Sequence, residues 1–200
     1  MQKDLKSSLA KPETGMTETE IVQPRQTERL ILTPATALSV QLEIEDHKAL
    51  GEWLSATIPT NWPPETLADA LGFFHKLLTE TPELVGWLGW YGVAQDTESG
   101  TLQLVASGGF MGKPKEGRVE VGYSVLPQFQ NKGYATEMIG ELTNWAFEQA
   151  DVLSLFADVE SGNMASQRVL SKLGFHEEGA GAEPGHLCYA LKKETFIGKT

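Results

Sequence analysis

The chain has 200 residues, of which 40% are hydrophobic and 22% charged, and its formal net charge at pH 7 is −11. This length fits one domain, and the apolar content is sufficient for a hydrophobic core. The acidic balance argues against nucleic-acid binding, which needs a basic surface. The chain has one cysteine, Cys188, which excludes an internal disulfide and a cysteine-based metal site.

Composition and hydropathy along the chain indicate where the folded domain begins and where the protein is located. Residues 1–26 are polar and without period, so we expect a disordered extension followed by a folded domain over residues 27–195. The first residues lack a basic region followed by an apolar run, so no secretory signal is expected. The longest apolar stretch, residues 87–94, is too short to cross a membrane. We therefore expect a cytoplasmic protein.

The sequence pattern of the N-terminal half predicts strands at its two ends and helices between them. In chain order, the predicted elements are a strand at 29–33, two short helices within 36–55, a helix at 65–79, and strands at about 86–94 and 102–109. Residues 58–64 are expected to form a loop because they contain three prolines. A second turn is expected at 96–100, between the two strands.

The C-terminal half alternates strands and helices. The predicted elements are a strand at 119–125, a helix from 133 to about 150, a strand at 152–158, a helix at 164–173, a glycine-rich loop at 179–185 and a last strand near 187–191. Asn163 suits the N-cap of the 164–173 helix, and Gly174 suits its C′ position. Together the elements predict a mixed α/β sheet with helices on both faces.

The segment Gln130-Asn-Lys-Gly-Tyr-Ala135 links the 119–125 strand to the next helix. A loop that opens a helix directs several backbone N–H groups to one point, where the helix dipole adds partial positive charge. Gly133 lets the backbone approach a ligand where a Cβ atom would clash. The loop therefore predicts a phosphate or pyrophosphate site, although taken alone it also suits a plain strand-to-helix turn.

Four segments resemble a known family. The spacing Gln130-x-x-Gly133-x-Ala135 is similar to the (Arg/Gln)-x-x-Gly-x-(Gly/Ala) loop of the GCN5-related N-acetyltransferases (GNAT). Residues 163–175, which read NMASQRVLSKLGF, resemble the downstream helix of the same superfamily. Glu120-Val-Gly-Tyr123 and the opening residues 27–32 resemble the branch that includes the ribosomal-protein N-terminal acetyltransferases. The resemblance covers about residues 27–193.

The resemblance implies a fold and an activity. The fold would be a mixed, mostly antiparallel twisted sheet of six to seven strands, with helices on both faces and a splayed central strand pair. Gly122 would form a bulge in the first of these two strands. The activity would be transfer of an acetyl group from acetyl-CoA to a primary amine by direct attack in a ternary complex. A non-catalytic acyl-CoA-binding module with the same fold is the alternative.

The resemblance leaves the acceptor and the assembly open. The acceptor would be a protein N-terminus or a small amine, and the ten acidic and two basic residues between Glu43 and Glu98 modestly favour a cationic one. The protein would be a monomer or a homodimer. A nucleotide phosphotransferase using the same loop is disfavoured, because the loop lacks a Gly-Lys-Ser/Thr ending and the chain lacks paired magnesium carboxylates.

The resemblance also assigns the cofactor site. The residues expected to contact acetyl-CoA are Val125, Gln130, Asn131, Lys132, Gly133, Tyr134, Ala135, Thr136, Asn163, Ser166 and Arg168. Lys132, Arg168 and Lys172 are candidates for the ribose phosphate, although each also suits a solvated surface charge. Asn163 would combine this contact with its role as a helix cap. No metal is expected.

The chemistry requires a base, because an ammonium has no lone pair to attack a thioester. Glu120 is the candidate, since it shares a strand face with Gly122 and Ser124, although a salt bridge explains it equally well. The backbone N–H of Val125 would polarise the thioester carbonyl. Trp62 would form an aromatic wall of the acceptor site.

The proton donor for the leaving thiolate is less well defined. Many members of the superfamily place a tyrosine where this chain has Leu170, so the general acid stays open among Tyr134, Ser166, Tyr189 and solvent. Ser166 is the hydroxyl that the resemblance places near the cofactor sulfur. Cys188 is a remote candidate for an acyl carrier, and a buried apolar cysteine is its simpler interpretation.

Overall fold

The computed structural model describes residues 22–96 and 100–196, without the side chains of Glu65 and Thr66. The predicted disorder of residues 1–26 therefore falls largely outside the described residues, as does most of the predicted turn at 96–100. Within the described part, Arg25–Gln26 form a short strand, so regular structure begins earlier than residue 29. The domain boundary at residue 27 stays a prediction.

The described part of the N-terminal half forms four strands and four α-helices. They are β1 (Arg25–Gln26), β2 (Leu30–Pro34), α1 (Ala37–Glu45), α2 (His47–Leu54), α3 (Glu65–Ala68), α4 (Leu71–Glu80), β3 (Gly89–Gln95) and β4 (Leu102–Phe110). The two helices predicted within 36–55 are confirmed. Asp46 separates them because its carboxylate caps α2, accepting hydrogen bonds from the N–H groups of Lys48 and Ala49.

The C-terminal half alternates strands and helices as the sequence predicts. Its elements are β5 (Arg118–Val125), α5 (Tyr134–Glu148), β6 (Ser154–Glu160), α6 (Met164–Lys172), β7 (His176–Ala180) and β8 (His186–Lys192). Asn163 caps α6 by accepting the N–H of Ser166 at 3.0 Å. Gly174, at φ +91°, ends that helix, and Phe175 donates back to the carbonyl of Leu170 as in a Schellman motif.

One sheet organises the described part of the chain. Its strand order is β1-β2-β3-β4-β5-β6-β8-β7, and every neighbouring pair is antiparallel except β5 and β6, which are parallel. The mixed, mostly antiparallel sheet is therefore confirmed, with eight strands in place of six to seven. No helix among residues 22–96 and 100–196 is long and apolar enough to cross a membrane.

Helices cover both faces of the sheet. On one face, Val40, Leu50 and Leu78 of the N-terminal helices pack on a cluster that includes Tyr91 and Leu104. On the other face, α5 packs on β2, β4 and β5, and α6 packs on α5. A cluster of aromatic side chains lies on this second face, where the rings of Trp87, Trp90 and Phe110 each contact that of Trp145.

The central parallel pair separates along its length. Pairing between β5 and β6 covers Arg118 to Glu120 on one strand and Ser154 to Phe156 on the other. From Val121 onward, β5 continues beside β4 alone. The predicted splay is thus present, and it opens a gap between the last residues of β5 and the helices that follow each strand.

Two local predictions are wrong. The helix predicted over 65–79 is divided into α3 and α4, because Ala70 donates to the carbonyl of Leu67 three residues back, which tightens the turn. Gly122 forms no bulge, since its register with Gly109 is regular. The irregularity lies between β3 and β4, where Gly92 pairs with Ala106 and Val93 with Leu104, leaving Val105 as the extra residue.

Candidate active site

A groove runs from the separated end of β5 to the N-termini of α5 and α6. We call it the cofactor groove; its volume is about 360 Å³. Its lining is Tyr123, Ser124, Val125, Phe129, Gln130, Asn131, Gly133, Tyr134, Ala135, Thr136, Asn163, Ala165, Ser166, Arg168, Val169 and Lys172. The groove therefore brings together every residue predicted to bind the cofactor, except Lys132.

The start of α5 supplies the donors that an anion needs. Gly133 adopts φ +87°, and Asn131 before it adopts φ +61°, so the chain turns sharply into the helix. The N–H of Glu137 makes the first helical bond, to the carbonyl of Gly133. The N–H groups of Tyr134, Ala135 and Thr136 precede this bond and point out of the helix end. This geometry suits a pyrophosphate.

Arg29 fixes this loop from a distant part of the sequence. Its guanidinium donates to the carbonyl oxygen of Lys132 at 2.8 Å and to the carboxylate of Glu137 at 2.7 Å. The same group lies over the ring of Tyr134, 5.1 Å from its centroid. Burial opposes ionisation of Glu137, but hydrogen bonds from Thr27 and from the backbone and side chain of Arg29 hold its pKa below the usual range.

The backbone of β5 is oriented towards the gap at Val125. Leu126 donates to the carbonyl of Val105, and Met111 donates to that of Glu120, so the even-numbered residues of β5 bond to β4. In an antiparallel pair the alternate residues direct their N–H and C=O groups to the other side. Val125 therefore directs its N–H away from β4, towards the side on which β6 has separated. Its carbonyl accepts the side-chain amide of Gln130 at 3.0 Å.

Two hydroxyl groups meet across the gap. The hydroxyl oxygens of Tyr123 on β5 and Ser166 on α6 lie 2.7 Å apart. Burial raises the pKa of the Tyr123 hydroxyl, and its hydrogen bond with Ser166 partly opposes this rise. Tyr123 is a site residue that the sequence reasoning missed. The available signal was its place at the end of Glu120-Val-Gly-Tyr123, the segment that resembles the family.

A second cavity lies on the other side of Tyr123 and Ser124. We call it the apolar cavity; it has a volume of about 230 Å³ and lies between α3–α4 and strands β4–β5. Its lining is Leu67, Ala70, Phe74, Leu88, Gly89, Ser107, Gly108, Gly109, Phe110, Met111, Gly122, Tyr123 and Ser124. The two cavities share Tyr123 and Ser124 in their linings, so both border the same two residues of β5.

Glu120 lies on the same face of β5 as Gly122 and Ser124, one step beyond the lining of the apolar cavity. Burial raises the pKa of its carboxyl, and the negative charge of Asp158 on β6 raises it further. Asp158 accepts the N–H of Ala182 at 3.1 Å and lies 3.3 Å from Nδ1 of His186. A half-buried carboxyl with a raised pKa is suited to accept a proton near neutral pH.

Four candidates lie away from these cavities. Trp62 is 3% exposed and donates its indole N–H to the buried carboxylate of Glu43 at 2.7 Å, so it forms part of the core and not a wall of the acceptor cavity. The Lys132 ammonium lies over the ring of Phe129, outside the groove lining. Tyr189 is buried in the core. Cys188 contacts Arg118, with Sγ 3.2 Å from the guanidinium, outside both cavities.

The comparison with protein families decides the class of the protein. Residues 29–176 match the family described as the acetyltransferase (GNAT) domain. The chain belongs to the GNAT acetyltransferase family. As a GNAT member it is an acyl-CoA-dependent N-acyltransferase that uses acetyl-CoA as cosubstrate and an amine as acceptor. The alternative of a non-catalytic module is not favoured.

Known GNAT proteins resemble the chain in sequence or in fold. The uncharacterized N-acetyltransferase YjdG of Bacillus subtilis is 32% identical over 149 residues, which cover 74% of this chain and 86% of YjdG. The ribosomal-protein-S5-alanine acetyltransferase of Vibrio fischeri superposes with a TM-score of 0.56 at 17% identity, covering 88% of this chain and 100% of that one. Mycobacterium smegmatis RimJ, solved with CoA-disulfide, gives a TM-score of 0.54 at 17% identity and covers 82% of each chain. The two structures establish the shared fold.

Proposed function

We propose that this protein acetylates a primary amine by direct attack on acetyl-CoA within a ternary complex. The observation that carries the proposal is the meeting of two cavities at Tyr123 and Ser124, beside the gap where β5 leaves β6. One cavity has the donors that suit a pyrophosphate and the other is open for an acceptor. No covalent enzyme intermediate is needed, since donor and acceptor can occupy the site together.

The proposed step uses three groups of the chain. Glu120 takes the proton of the ammonium, directly or through water, so that the neutral nitrogen attacks the thioester carbon. The N–H of Val125 stabilises the developing negative charge on the carbonyl oxygen. The carbon–sulfur bond breaks, the thiolate receives a proton from Ser166, and the nitrogen releases one of its two remaining protons to solvent. Solvent finally restores the proton that the hydroxyl gave up. The products are an amide and free coenzyme A.

Tyr123 completes the proton path in this proposal. Its hydroxyl lies 2.7 Å from that of Ser166 and can replace the proton that Ser166 gives up. The raised pKa of Tyr123 keeps its hydroxyl protonated in the resting protein. Many superfamily members have a tyrosine on the α6 helix, where this chain has Leu170. In the proposal, Tyr123 takes over the role of that tyrosine, although it lies on a strand. Leu170 itself is fully buried.

We infer that the acceptor is a protein N-terminus or a small cationic amine. The structural likeness to a ribosomal-protein-S5-alanine acetyltransferase supports the first class. The acidic segment between Glu43 and Glu98 supports the second, because it attracts cations. Either acceptor presents a primary amine, which is all that the proposed chemistry requires.

Calorimetric titration and a thiol-release assay test the proposal. We expect micromolar binding of acetyl-CoA, no binding of ATP, and release of free thiol when an amine is added. The variant Ser166→Ala should still bind acetyl-CoA but release thiol about a hundredfold more slowly. Binding of acetyl-CoA without thiol release from any amine or N-terminal peptide would contradict the proposed transfer.

A further inference from the structure

The apolar cavity is sized for a small substituent. Its volume of about 230 Å³ exceeds that of an engineered cavity of about 150 Å³ that binds benzene. It lies below the usual range of about 300–1,000 Å³ for sites that hold a whole drug-sized ligand. One aromatic ring or a short branched chain would therefore fill it.

The lining of this cavity selects against charge. Its larger side chains include Leu67, Phe74 and Leu88, and none of the described side chains that line it is charged. The polar side chains on this face of the sheet are the hydroxyls of Ser107 and Ser124, because Tyr123 directs its hydroxyl to Ser166 in the cofactor groove. An ammonium placed inside would lose its hydration without gaining a charged partner, which costs several kcal/mol.

The position of the cavity specifies what occupies it. Its inner end is formed by Tyr123 and Ser124, which also line the cofactor groove. An amine nitrogen that reaches the thioester near Val125 must carry its substituent away from the groove, and the cavity is the space beyond these two residues. Glu120 lies two residues before Gly122 on the same face of β5 and outside the cavity lining, where its carboxylate can contact the charged nitrogen.

We infer that the acceptor is a monoamine whose nitrogen bears a compact aliphatic or aromatic group, and that the apolar cavity binds this group. The inference rests on the proposed function and narrows its acceptor class. It separates such amines, including N-terminal residues with apolar side chains, from polyamines and amino sugars, whose additional charges or hydroxyls would enter an apolar space.

A panel of amines tests the inference. The rate of thiol release is measured at saturating acetyl-CoA with 2-phenylethylamine, ethanolamine and spermidine. We expect kcat/KM for 2-phenylethylamine to exceed that for ethanolamine by about tenfold or more, which is typical when an apolar pocket gains a matching group. A preference for spermidine overturns the inference but leaves the acetyl transfer standing. Absence of thiol release with every amine contradicts the proposed function itself.

Two adjacent phenylalanines give a matched pair of variants. Phe74 lines the cavity, whereas Phe73 beside it is 62% exposed. We expect Phe74→Ala to reduce the preference for 2-phenylethylamine about tenfold with little effect on ethanolamine, and Phe73→Ala to leave the preference unchanged. Ala70→Leu, which fills the same cavity, should also reduce it. Equal effects of Phe73→Ala and Phe74→Ala would overturn the inference.

A donor series separates the acceptor from the acyl group as the occupant. Acetyl-CoA, butyryl-CoA and hexanoyl-CoA are compared with ethanolamine as the fixed acceptor. We expect kcat/KM to fall as the acyl chain lengthens. A rise with chain length that disappears in Phe74→Ala would place the acyl chain in the cavity and overturn the inference.

Discussion

The hydroxyl oxygens of Tyr123 and Ser166 lie 2.7 Å apart, and this hydrogen bond joins β5 to α6 across the gap between the parallel strands. The two residues are 43 positions apart in the chain. The splay brings them together, because Tyr123 lies three residues beyond Glu120, the last residue of β5 that pairs with β6, and Ser166 lies in the first turn of α6. The bond therefore lies at the end of the cofactor groove that borders the gap.

This relationship predicts how the two hydroxyls act in turnover. Tyr123→Phe should lower kcat about tenfold and leave acetyl-CoA affinity nearly unchanged, because a general acid contributes about a hundredfold or more and its partner only a part of that. The double variant with Ser166→Ala should be little slower than Ser166→Ala alone, since the two groups form one proton path. Tyr189→Phe, a buried tyrosine outside the groove, is the control. Additive losses would contradict a shared path.

The raised pKa of Glu120 predicts the acid limb of the pH profile. A protonated carboxyl accepts no proton, so activity should be lost as pH falls through this raised pKa. Asp158→Asn removes the negative charge that helps to raise the pKa. The acid limb of kcat/KM should therefore move to lower pH in this variant. Glu160 lies at the exposed end of β6, the strand that carries Asp158. Glu160→Gln should therefore leave the acid limb at the same pH.

Glu120→Gln completes this test. If Glu120 is the base, kcat/KM at neutral pH should fall about a hundredfold and the acid limb should disappear. The same turnover as the unaltered protein at neutral and at high pH would remove Glu120 from the proposed mechanism.

The contact between Arg29 and the α5 loop predicts a loss of cofactor affinity. Arg29→Ala removes the guanidinium hydrogen bonds to the carbonyl of Lys132 and to the carboxylate of Glu137, so the loop is less well ordered for binding. We expect the Kd for acetyl-CoA to rise about tenfold, equivalent to about 1.4 kcal/mol. Arg25→Ala is the matched control, because Arg25 pairs with Glu141 and Glu148 further along the same helix. Equal losses in the two variants would contradict a specific role of Arg29.

The backbone at Gly133 predicts an effect on stability. Its φ of +87° disfavours any residue with a Cβ atom, and the added atom would lie 3.1 Å from Nη2 of Arg29. Gly133→Ala should lower the free energy of unfolding by about 1–2 kcal/mol in urea titrations. Gly72→Ala, in α4 with open space around it, should raise that energy by about 0.5–1 kcal/mol. A neutral Gly133→Ala would contradict the strain argument.

Local sequence patterns predicted most elements of the C-terminal half, because they contain their own signals. Asn163 and Gly174 are examples, since a cap and a left-handed turn are decided within a few residues. The break between α3 and α4 had no such signal. Its residues remain near helical φ and ψ values, and a single hydrogen bond to Leu67 separates the two helices.

The parts of the site that the sequence did not predict depend on long-range contacts. Arg29 reaches Glu137 across 108 residues, and no periodicity relates the two positions. Trp62 was predicted to form a wall of the acceptor site, because its loop borders that site in the family, but its indole donates to the buried carboxylate of Glu43 in the core. The irregular pairing at Val105 likewise depends on how β3 and β4 align. Motif spacing found the groove, and tertiary contacts decided which side chains enter it.

β5 and β6 pair over three residues of each strand, so the sheet consists of two units joined at this short paired segment, which we call the seam. β1 to β5 form one unit and β6, β8 and β7 the other, and the seam spans Arg118 to Glu120. A cosubstrate in the groove would contact β5, α5 and α6 at once, and so would tie the two units together where the strands do not. We therefore expect acetyl-CoA to act as a structural brace, slowing amide hydrogen exchange on both sides of the seam, including strands that it does not touch.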